Sequence, residues 1–347
     1  MQKGKIALMG VLSVCMGGGL ILPAKTAVNA QEQGWTEGKA ECVMEAKSRR
    51  ILYASNADAP LPMASTTKIV TAITVLDYCD DLQEIVRIPQ QAVGIEGSSV
   101  YLQEGAEYSV EDLLYGLLLR SGNDCAAALA LHVGKSLQNF STLMNQTAEK
   151  AGAIHSAFLN PHGLPCDGHY TTAFDLSYIT CYALQNPIFQ TIVSTRYYAP
   201  RHWANKNKIL RLYDGANGVK TGYTKQAGRC LVSSATKDGM TLVCTLLNCP
   251  TTYERTTKLF DDAFSAYKME QIVDKDQQFT LKIGKEDVAC AAVCGYEYPL
   301  LEDEKQFVSV QINAIKPYFD AEDREIIGQF QIYLAKQLLF SGNLYKL

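Results

Sequence analysis

The period of hydrophobic positions changes several times along the chain, and each change predicts an element. Residues 40 to 53, Ala-Glu-Cys-Val-Met-Glu-Ala followed by Lys-Ser-Arg-Arg-Ile-Leu-Tyr, read as two short strands around a polar turn. From Ser65 to Tyr78 the run has helical length and is apolar nearly all round (Ile69, Val70, Ala72, Ile73, Val75, Leu76), the pattern of a helix buried at the centre of a domain. Its polar start stands out. Ser109-Val-Glu-Asp112 is a capping-box signature, and Leu113, Leu114, Leu117 and Leu118 follow at helical spacing up to Arg120. Asp124 to Val133 predicts a small-residue helix stopped by Gly134. Leu137 to Lys150 predicts another, with Phe140, Leu143, Met144 and Ala148 on one face before Gly152.

Further on the texture turns to strands. Val219 to Thr221, Cys230 to Ala235 and Met240 to Leu247 are β-rich, and Asp238-Gly239 joins the last two as a hairpin. Thr251 to Lys268 predicts a helix with Phe260, Phe264 and Tyr267 in register. Helices bracketing late antiparallel strands predict an α+β domain, an antiparallel sheet flanked by helices with a helical subdomain. Beyond about residue 270 short alternating runs, Phe279 to Ile283, Val288 to Val293, Phe307 to Ile312 and Phe330 to Leu334, predict a small C-terminal all-β domain.

Length and composition refine this picture. At 347 residues, with 47% hydrophobic and 20% charged positions, the chain is an ordinary globular protein with room for two domains. Lys3 and Lys5 precede an apolar run from Ile6 to Leu22, followed by Val28-Asn29-Ala30, so residues 1–30 read as an export signal. Removing them takes away Lys3, Lys5 and Lys25 and no acid, moving the formal charge from −4 to −7 and excluding nucleic acid as a partner. Ten of the eleven cysteines follow that segment, scattered through apolar stretches, which predicts buried free thiols. Cys290 with Cys294, and Cys244 with Cys249, lack the second ligand pair of a zinc site, so the sequence predicts no metal and no cofactor.

Candidate chemistry begins at the polar start of the buried helix. Ser65-Thr66-Thr67-Lys68 puts a hydroxyl and an amine three residues apart on one helical face. Serine is a poor nucleophile until a neighbour takes its proton, and burial disfavours a charged lysine, which fits Lys68 to that task. S-x-x-K alone is a weak signal, but a lysine on an otherwise apolar buried helix needs a reason. Ser121-Gly122-Asn123 falls in a break between helices, where a loop projects a second hydroxyl and a carboxamide into a cleft. Lys220-Thr221-Gly222 lies on a strand, where glycine permits close approach of another backbone. The three motifs, in this order and on helix, loop and strand, form one signature of β-lactamases and penicillin-binding proteins.

With Pro62-Met-Ala-Ser65-Thr-Thr-Lys68, Leu117-Leu-Leu-Arg-Ser121-Gly-Asn123-Asp124 and Asp214-Gly-Ala-Asn-Gly-Val-Lys220-Thr-Gly-Tyr-Thr224, the chain resembles serine D-alanyl-D-alanine carboxypeptidases, the low-molecular-mass penicillin-binding proteins. The resemblance runs from about residue 38 to 268 and includes Gly97-Ser-Ser-Val-Tyr-Leu102 and Asn160-Pro-His-Gly-Leu164. It implies the penicillin-recognising transpeptidase and β-lactamase-like fold over residues 31–268, with residues 269–347 as the C-terminal β domain. It also implies that Ser65 attacks the penultimate D-alanine carbonyl of peptidoglycan stem peptides, that Lys68 takes its proton and that Ser121 relays one to the leaving D-alanine. Asn123 would bind the substrate amide, and backbone N–H groups of Ser65 and Tyr223 would form the oxyanion hole. Lys220, Thr221 and Arg255 would hold the terminal carboxylate, Gly222 would let the substrate backbone approach the strand, and His162 and Asp175 would be scaffolding. β-Lactams would acylate Ser65 covalently, and the enzyme would work outside the cytoplasm.

Two departures from the family pattern stand out. The chain stops at Leu347 soon after the strand-like Gln329 to Leu334 segment, where relatives often carry an amphipathic membrane-docking helix, so membrane attachment is left open. Lys47-Ser-Arg-Arg50 replaces a Gly-containing turn. Two enzymatic rivals remain. A class A β-lactamase needs a deacylating glutamate, and Ala153 to Pro165 contains no acid. An endopeptidase acting on cross-links shares every motif. A catalytically idle wall-binding protein is disfavoured by the completeness of the motif set.

Overall fold

Sixteen strands and eight helices make up the computed structural model, which describes residues 38–347. The expected export signal lies outside the described residues. Two units are distinguishable: one runs to Gln271 and takes back the segment Glu297–Lys305, the other comprises Ile272–Tyr296 and Gln306–Leu347.

The first unit opens with the hairpin β1 (Ala40–Glu45) and β2 (Ile51–Ser55). Its turn does without glycine because Glu45 accepts from the amides of Lys47 and Ser48 and from the Ser48 hydroxyl, while Arg49 takes up the left-handed backbone at φ +58. There follow α1 (Lys68–Tyr78), the ribbon of β3 (Ile85–Arg87) with β4 (Glu107–Ser109), α2 (Val110–Tyr115), α3 (Asn123–Gly134) and α4 (Leu137–Ala151). The Ser109 hydroxyl accepts from the Asp112 amide at 3.0 Å, the cap that the spacing predicted. Gly134 plays a different part from the stop signal expected of it. Lys135, not Gly134, takes the left-handed C-terminal conformation at φ +59, and a side chain at Gly134 would put its Cβ 2.6 Å from Phe140 Cβ. The glycine makes room for α4.

The chain continues through α5 (Ala173–Ala183), α6 (Pro187–Ser194), the ribbon of β5 (Tyr197–Tyr198) with β6 (Trp203–Ala204), and α7 (Ile209–Leu212). The strands β7 (Ala216–Thr224), β8 (Gly228–Lys237) and β9 (Met240–Leu247) then join the first hairpin in an antiparallel sheet of order β2-β1-β9-β8-β7, and α8 (Thr252–Ala266) follows. Helices cover both faces, as alternate residues of β9 show: Thr245 bonds Ser177 of α5 at 2.8 Å, while Leu246 packs with Leu259 and Phe260 of α8. Each such buried apolar side chain is worth about 1.5–3 kcal/mol. α1 lies inside the helical layer with its residues from Lys68 to Val75 all buried. Because β7 is an edge strand, one side of its backbone is left open to a partner, and that edge borders the start of α1.

β10 (Lys268–Val273) and β13 (Tyr296–Leu300) form a two-stranded ribbon. The second unit is an antiparallel sheet of β11 (Gln278–Ile283), β12 (Glu286–Ala292), β14 (Val308–Phe319), β15 (Glu325–Leu334) and β16 (Gln337–Lys346), in the order β11-β12-β16-β15-β14. Phe330, Ile332 and Leu344 lie in its core. β16 escaped the sequence reading although it is the central strand. Its alternation is interrupted at Ser341-Gly342-Asn343, and the glycine is there because a Cβ would stand 2.4 Å from the Phe330 ring. Among the described residues no helix is long and apolar enough to cross a membrane.

Candidate active site

The chain enters α1 through a tight turn. Ala64, at φ +51, begins a 3-10 turn through Thr67 that leaves Ser65 half-buried at its outer side. The Thr66 and Thr67 hydroxyls close this turn by donating to the Met63 and Ala64 carbonyls, at 2.7 and 2.8 Å. His169 braces it from behind. Its Nδ1 accepts from the Leu159 amide at 3.0 Å, so the hydrogen sits on Nε2 and points at Thr67 Oγ, 3.1 Å away. Burial pulls the His169 pKa down to about 4, keeping the ring neutral.

Lys68 Nζ lies 3.1 Å from Ser65 Oγ, 2.6 Å from Asn123 Oδ1 and 2.6 Å from the His162 carbonyl oxygen, with no solvent exposure. These three oxygens decide its chemistry. A neutral amine has two hydrogens and one lone pair. The carbonyl of His162 and the amide oxygen of Asn123 can only accept, so they take the two hydrogens and leave the lone pair facing the one neighbour with a hydrogen to give, the Ser65 hydroxyl. Burial, and after it the charge of Lys220, hold Lys68 well below the usual lysine range.

A second hydroxyl–amine pair stands beside the first. α2 widens into a π-type turn over Gly116–Arg120 and breaks at Ser121, which adopts the left-handed conformation at φ +63. Lys220 Nζ, also buried, donates to Ser121 Oγ at 3.0 Å and to the Thr221 carbonyl at 2.9 Å. Burial, with Lys206 adding a like charge, draws the Lys220 pKa down to about 7. Asn123 opens α3 and is held by its amide to the Ser98 carbonyl at 2.7 Å and by Nδ2 to the Glu96 carbonyl. Next to it, the Asp124 carboxylate accepts from Ser99 Oγ and from the Val100 and Leu102 amides, pinning the loop that borders the cleft.

Gly222 shows how closely the edge strand approaches the serine. A Cβ there would stand 3.0 Å from the Met63 carbonyl oxygen and 3.2 Å from the Ser65 amide nitrogen. Thr221 is half-buried beside it, and the Tyr223 ring is 66% exposed. The fold therefore gathers Ser65, Lys68, Ser121, Asn123, Lys220, Thr221, Gly222 and Tyr223 from the start of α1, the break before α3 and the edge β7.

Arg255 is the correction. Its guanidinium is buried on α8 against Glu41, with Nε 3.0 Å and Nη2 2.6 Å from the carboxylate, and Nη2 also reaches Tyr53 Oη at 2.8 Å. Glu41 pairs across the sheet with Leu246, Leu246 with Leu231 and Leu231 with Thr221, three strand spacings or about 14 Å from Glu41 to the edge strand. Its charge is matched within the fold and is not presented to a substrate at β7.

The His162 carbonyl was not foreseen. Asn160 Oδ1 accepts from the Gly163 amide at 2.7 Å, and Gly163, at φ +87, passes so close to Ala64 that a Cβ would stand 1.9 Å from its carbonyl oxygen. The Asn160-Pro-His-Gly turn is visible in sequence, but the direction of a backbone carbonyl is not. The His162 ring itself accepts from the Leu164 amide, and burial, with Lys68 nearby, lowers its pKa to about 4.

Comparison with known proteins decides what this arrangement belongs to. Residues 26–251 match the family D-alanyl-D-alanine carboxypeptidase. The chain belongs to this family of serine peptidases. It is 31% identical over 255 residues to the D-alanyl-D-alanine carboxypeptidase DacF of Bacillus subtilis, spanning 70% of this chain and 66% of that protein. It is 31% identical over 286 residues to DacC of Escherichia coli, spanning 75% and 70%. The fold is that of penicillin-binding protein 5 from Haemophilus influenzae, with a TM-score of 0.77 at 24% identity over 92% of this chain and 98% of that one. A mutant of a Streptomyces DD-transpeptidase is 31% identical, with a TM-score of 0.62 over 66% of this chain and 98% of that one.

Membership accounts for the order of the motifs but adds no residue roles of its own. All ten cysteines among the described residues are free thiols. Seven are buried, and burial pushes Cys42 up to about 12. Cys125 lies at the base of the site but is held well above its usual value by burial and by Asp124, so it offers no thiolate to compete with Ser65.

Proposed function

We propose that Ser65 is acylated by the penultimate D-alanine of a peptidoglycan stem pentapeptide and that water then releases the shortened peptide. The observation that carries this reading is the 3.1 Å separation between Ser65 Oγ and the buried Lys68 Nζ, whose other two neighbours are oxygens that can only accept. Lys68 removes the hydroxyl proton as the Ser65–carbonyl bond forms, and the helix N-terminus favours the negative charge that develops there. The oxyanion falls to the backbone amides of Ser65 and Tyr223, supported by the closeness of the Gly222 backbone to the serine turn. Ser121 hands a proton to the leaving D-alanine nitrogen, and Lys220, charged on one side of its pKa of about 7, restores it and attracts the terminal carboxylate with Thr221. Asn123 keeps one Nδ2 hydrogen on Glu96 and offers the other to the substrate amide.

β-Lactams enter by the same acylation. No acid stands between Ala153 and Pro165, and the carbonyl that this segment brings to the site belongs to His162, an acceptor that binds Lys68 and activates no water. The penicilloyl adduct is accordingly long-lived. Action on peptidoglycan places the enzyme outside the cytoplasm, and residues 1–30 are the segment proposed to export it. We read residues 31–268 as the catalytic domain and 269–347 as an appended β domain.

The test is incubation of the purified chain with a stem pentapeptide and, separately, with a cross-linked peptide dimer. Release of D-alanine from the pentapeptide, absent with Ser65→Ala, is the expected result. Cleavage of the dimer without D-alanine release from the pentapeptide would replace this reading with that of an endopeptidase.

A further inference from the structure

The far ends of the two helices that begin at the active site meet a second cluster of reactive side chains. Cys79 follows the last residue of α1 in an extended conformation, at φ −125 and ψ 112. His132 lies in the last turn of α3. Glu84 belongs to the short segment after α1, which is folded back on itself: the Gln83 amide donates to Asp81 Oδ1 at 2.9 Å and the Glu84 amide to the Asp81 carbonyl at 3.2 Å. The Glu84 carbonyl is tied in turn to the Val110 amide at the start of α2, 3.1 Å away. Three separate elements thus bring a thiol, an imidazole and a carboxylate together. His132 Nε2 is 3.4 Å from Glu84 Oε2, and one ligand atom from each of the three residues lies within 4.8 Å of the other two.

We propose that Cys79, Glu84 and His132 bind a zinc-type dication with a water as fourth ligand, clamping the end of α1 to the end of α3. The donor set decides the class of metal. Thiolate, imidazole and one carboxylate suit zinc and its cobalt surrogate, whereas magnesium and calcium require oxygen ligands throughout. The spacing is compatible. Bonds of about 2.0–2.3 Å in a tetrahedron put ligand atoms roughly 3.3–3.8 Å apart, so the outermost pair has about 1 Å to close by side-chain rotation. Access is open too. Cys79 and His132 are half-buried and Glu84 is exposed, so an ion reaches the cluster from solvent. No motif in the sequence marks such a site, since these three ligands come from segments up to 53 positions apart.

Placement separates this ion from catalysis. At 1.5 Å per residue the 11 residues of α1 span about 16 Å, so a metal at Cys79 lies that far from Lys68 and acts on the stiffness of the helical layer, not on the acyl transfer.

The purified full chain, reduced and stripped with a chelator, is titrated with cobalt(II). One equivalent should produce a thiolate-to-cobalt charge-transfer band and the visible bands of a tetrahedral site, and zinc should abolish both by displacement. Cys79→Ser should lose the charge-transfer band, and His132→Ala and Glu84→Gln should bind at least about tenfold more weakly. Cys166→Ser and Cys294→Ser, which alter the other thiols among the described residues that are not buried, should keep the band. Circular dichroism of each variant establishes that it is folded, and Glu84→Gln alters neither helix. The absence of the band in the parent, or its persistence in folded Cys79→Ser and His132→Ala, would overturn the proposal.

Discussion

At Lys68 a single buried nitrogen is surrounded by three oxygens, only one of which carries a hydrogen to give, and this asymmetry is what fits the amine to the proposed role of base. Acylation requires the neutral amine, so its rate falls as pH drops through the depressed Lys68 pKa. Lys220 contributes to that depression, second to burial. Removing its charge in Lys220→Gln lets the Lys68 pKa rise, and the acid limb of penicillin acylation should move to higher pH, with a loss of about 10- to 100-fold at neutral pH from the missing charged hydrogen bond. A stopped-flow pH profile reads both effects. A limb that stays put or moves to lower pH would break the link between the two lysines. Arg255 is the contrasting residue. Arg255→Leu leaves the buried Glu41 carboxylate without its guanidinium and should destabilise the chain by about 3–5 kcal/mol, lowering the Tm while the KM for pentapeptide stays the same. A raised KM at unchanged Tm would restore Arg255 to the substrate carboxylate. The closeness of Ser65 and Lys68 was legible in sequence because side chains three residues apart share one helical face. It misled at Arg255 because which face of the sheet a helical arginine meets depends on tertiary packing, and it was silent at His162 because the group that matters there is a backbone oxygen.

Among the elements, those with strong local signals were legible: the Ser109 cap, the Asp238-Gly239 hairpin with φ values of +48 and +78, and the largely apolar, buried α1. The segment between Gly152 and Val219 carries no clear periodicity in the sequence. It holds α5, whose polar residues Ser177 and Thr180 are buried, and α6. Buried polar positions blur the periodicity that reveals a helix. The turn at Gly163 is the element on which the site depends most closely. Its left-handed φ and its fit against Ala64 leave no room for a methyl group. Gly163→Ala should push the His162 carbonyl away from Lys68 and slow penicillin acylation by about 10²-fold, the scale expected for ångström misplacement of a catalytic group. Gly168→Ala is the control, since its φ is also positive at +84 but its nearest neighbour to an added Cβ is a flexible Leu159 side-chain atom at 3.5 Å. Equal rates for Gly163→Ala and the parent would remove the turn from the mechanism.

On the scale of the whole molecule, each of the two units has its own hydrophobic core, and the proposed catalytic residues all belong to one of them. Phe330→Ala, in the core of the second unit, should cost that unit about 3–5 kcal/mol and lower its thermal transition while penicillin labelling is retained. Loss of labelling in step with that transition would tie the β domain to the active site. Central to the account is the assignment of Ser65 as the acylated group, and the most direct measurement is peptide mapping by mass spectrometry after incubation with penicillin. A single penicilloyl adduct on the peptide containing Ser65, absent in Ser65→Ala, is the predicted result. An adduct on any other residue, or undiminished labelling of Ser65→Ala, would contradict it.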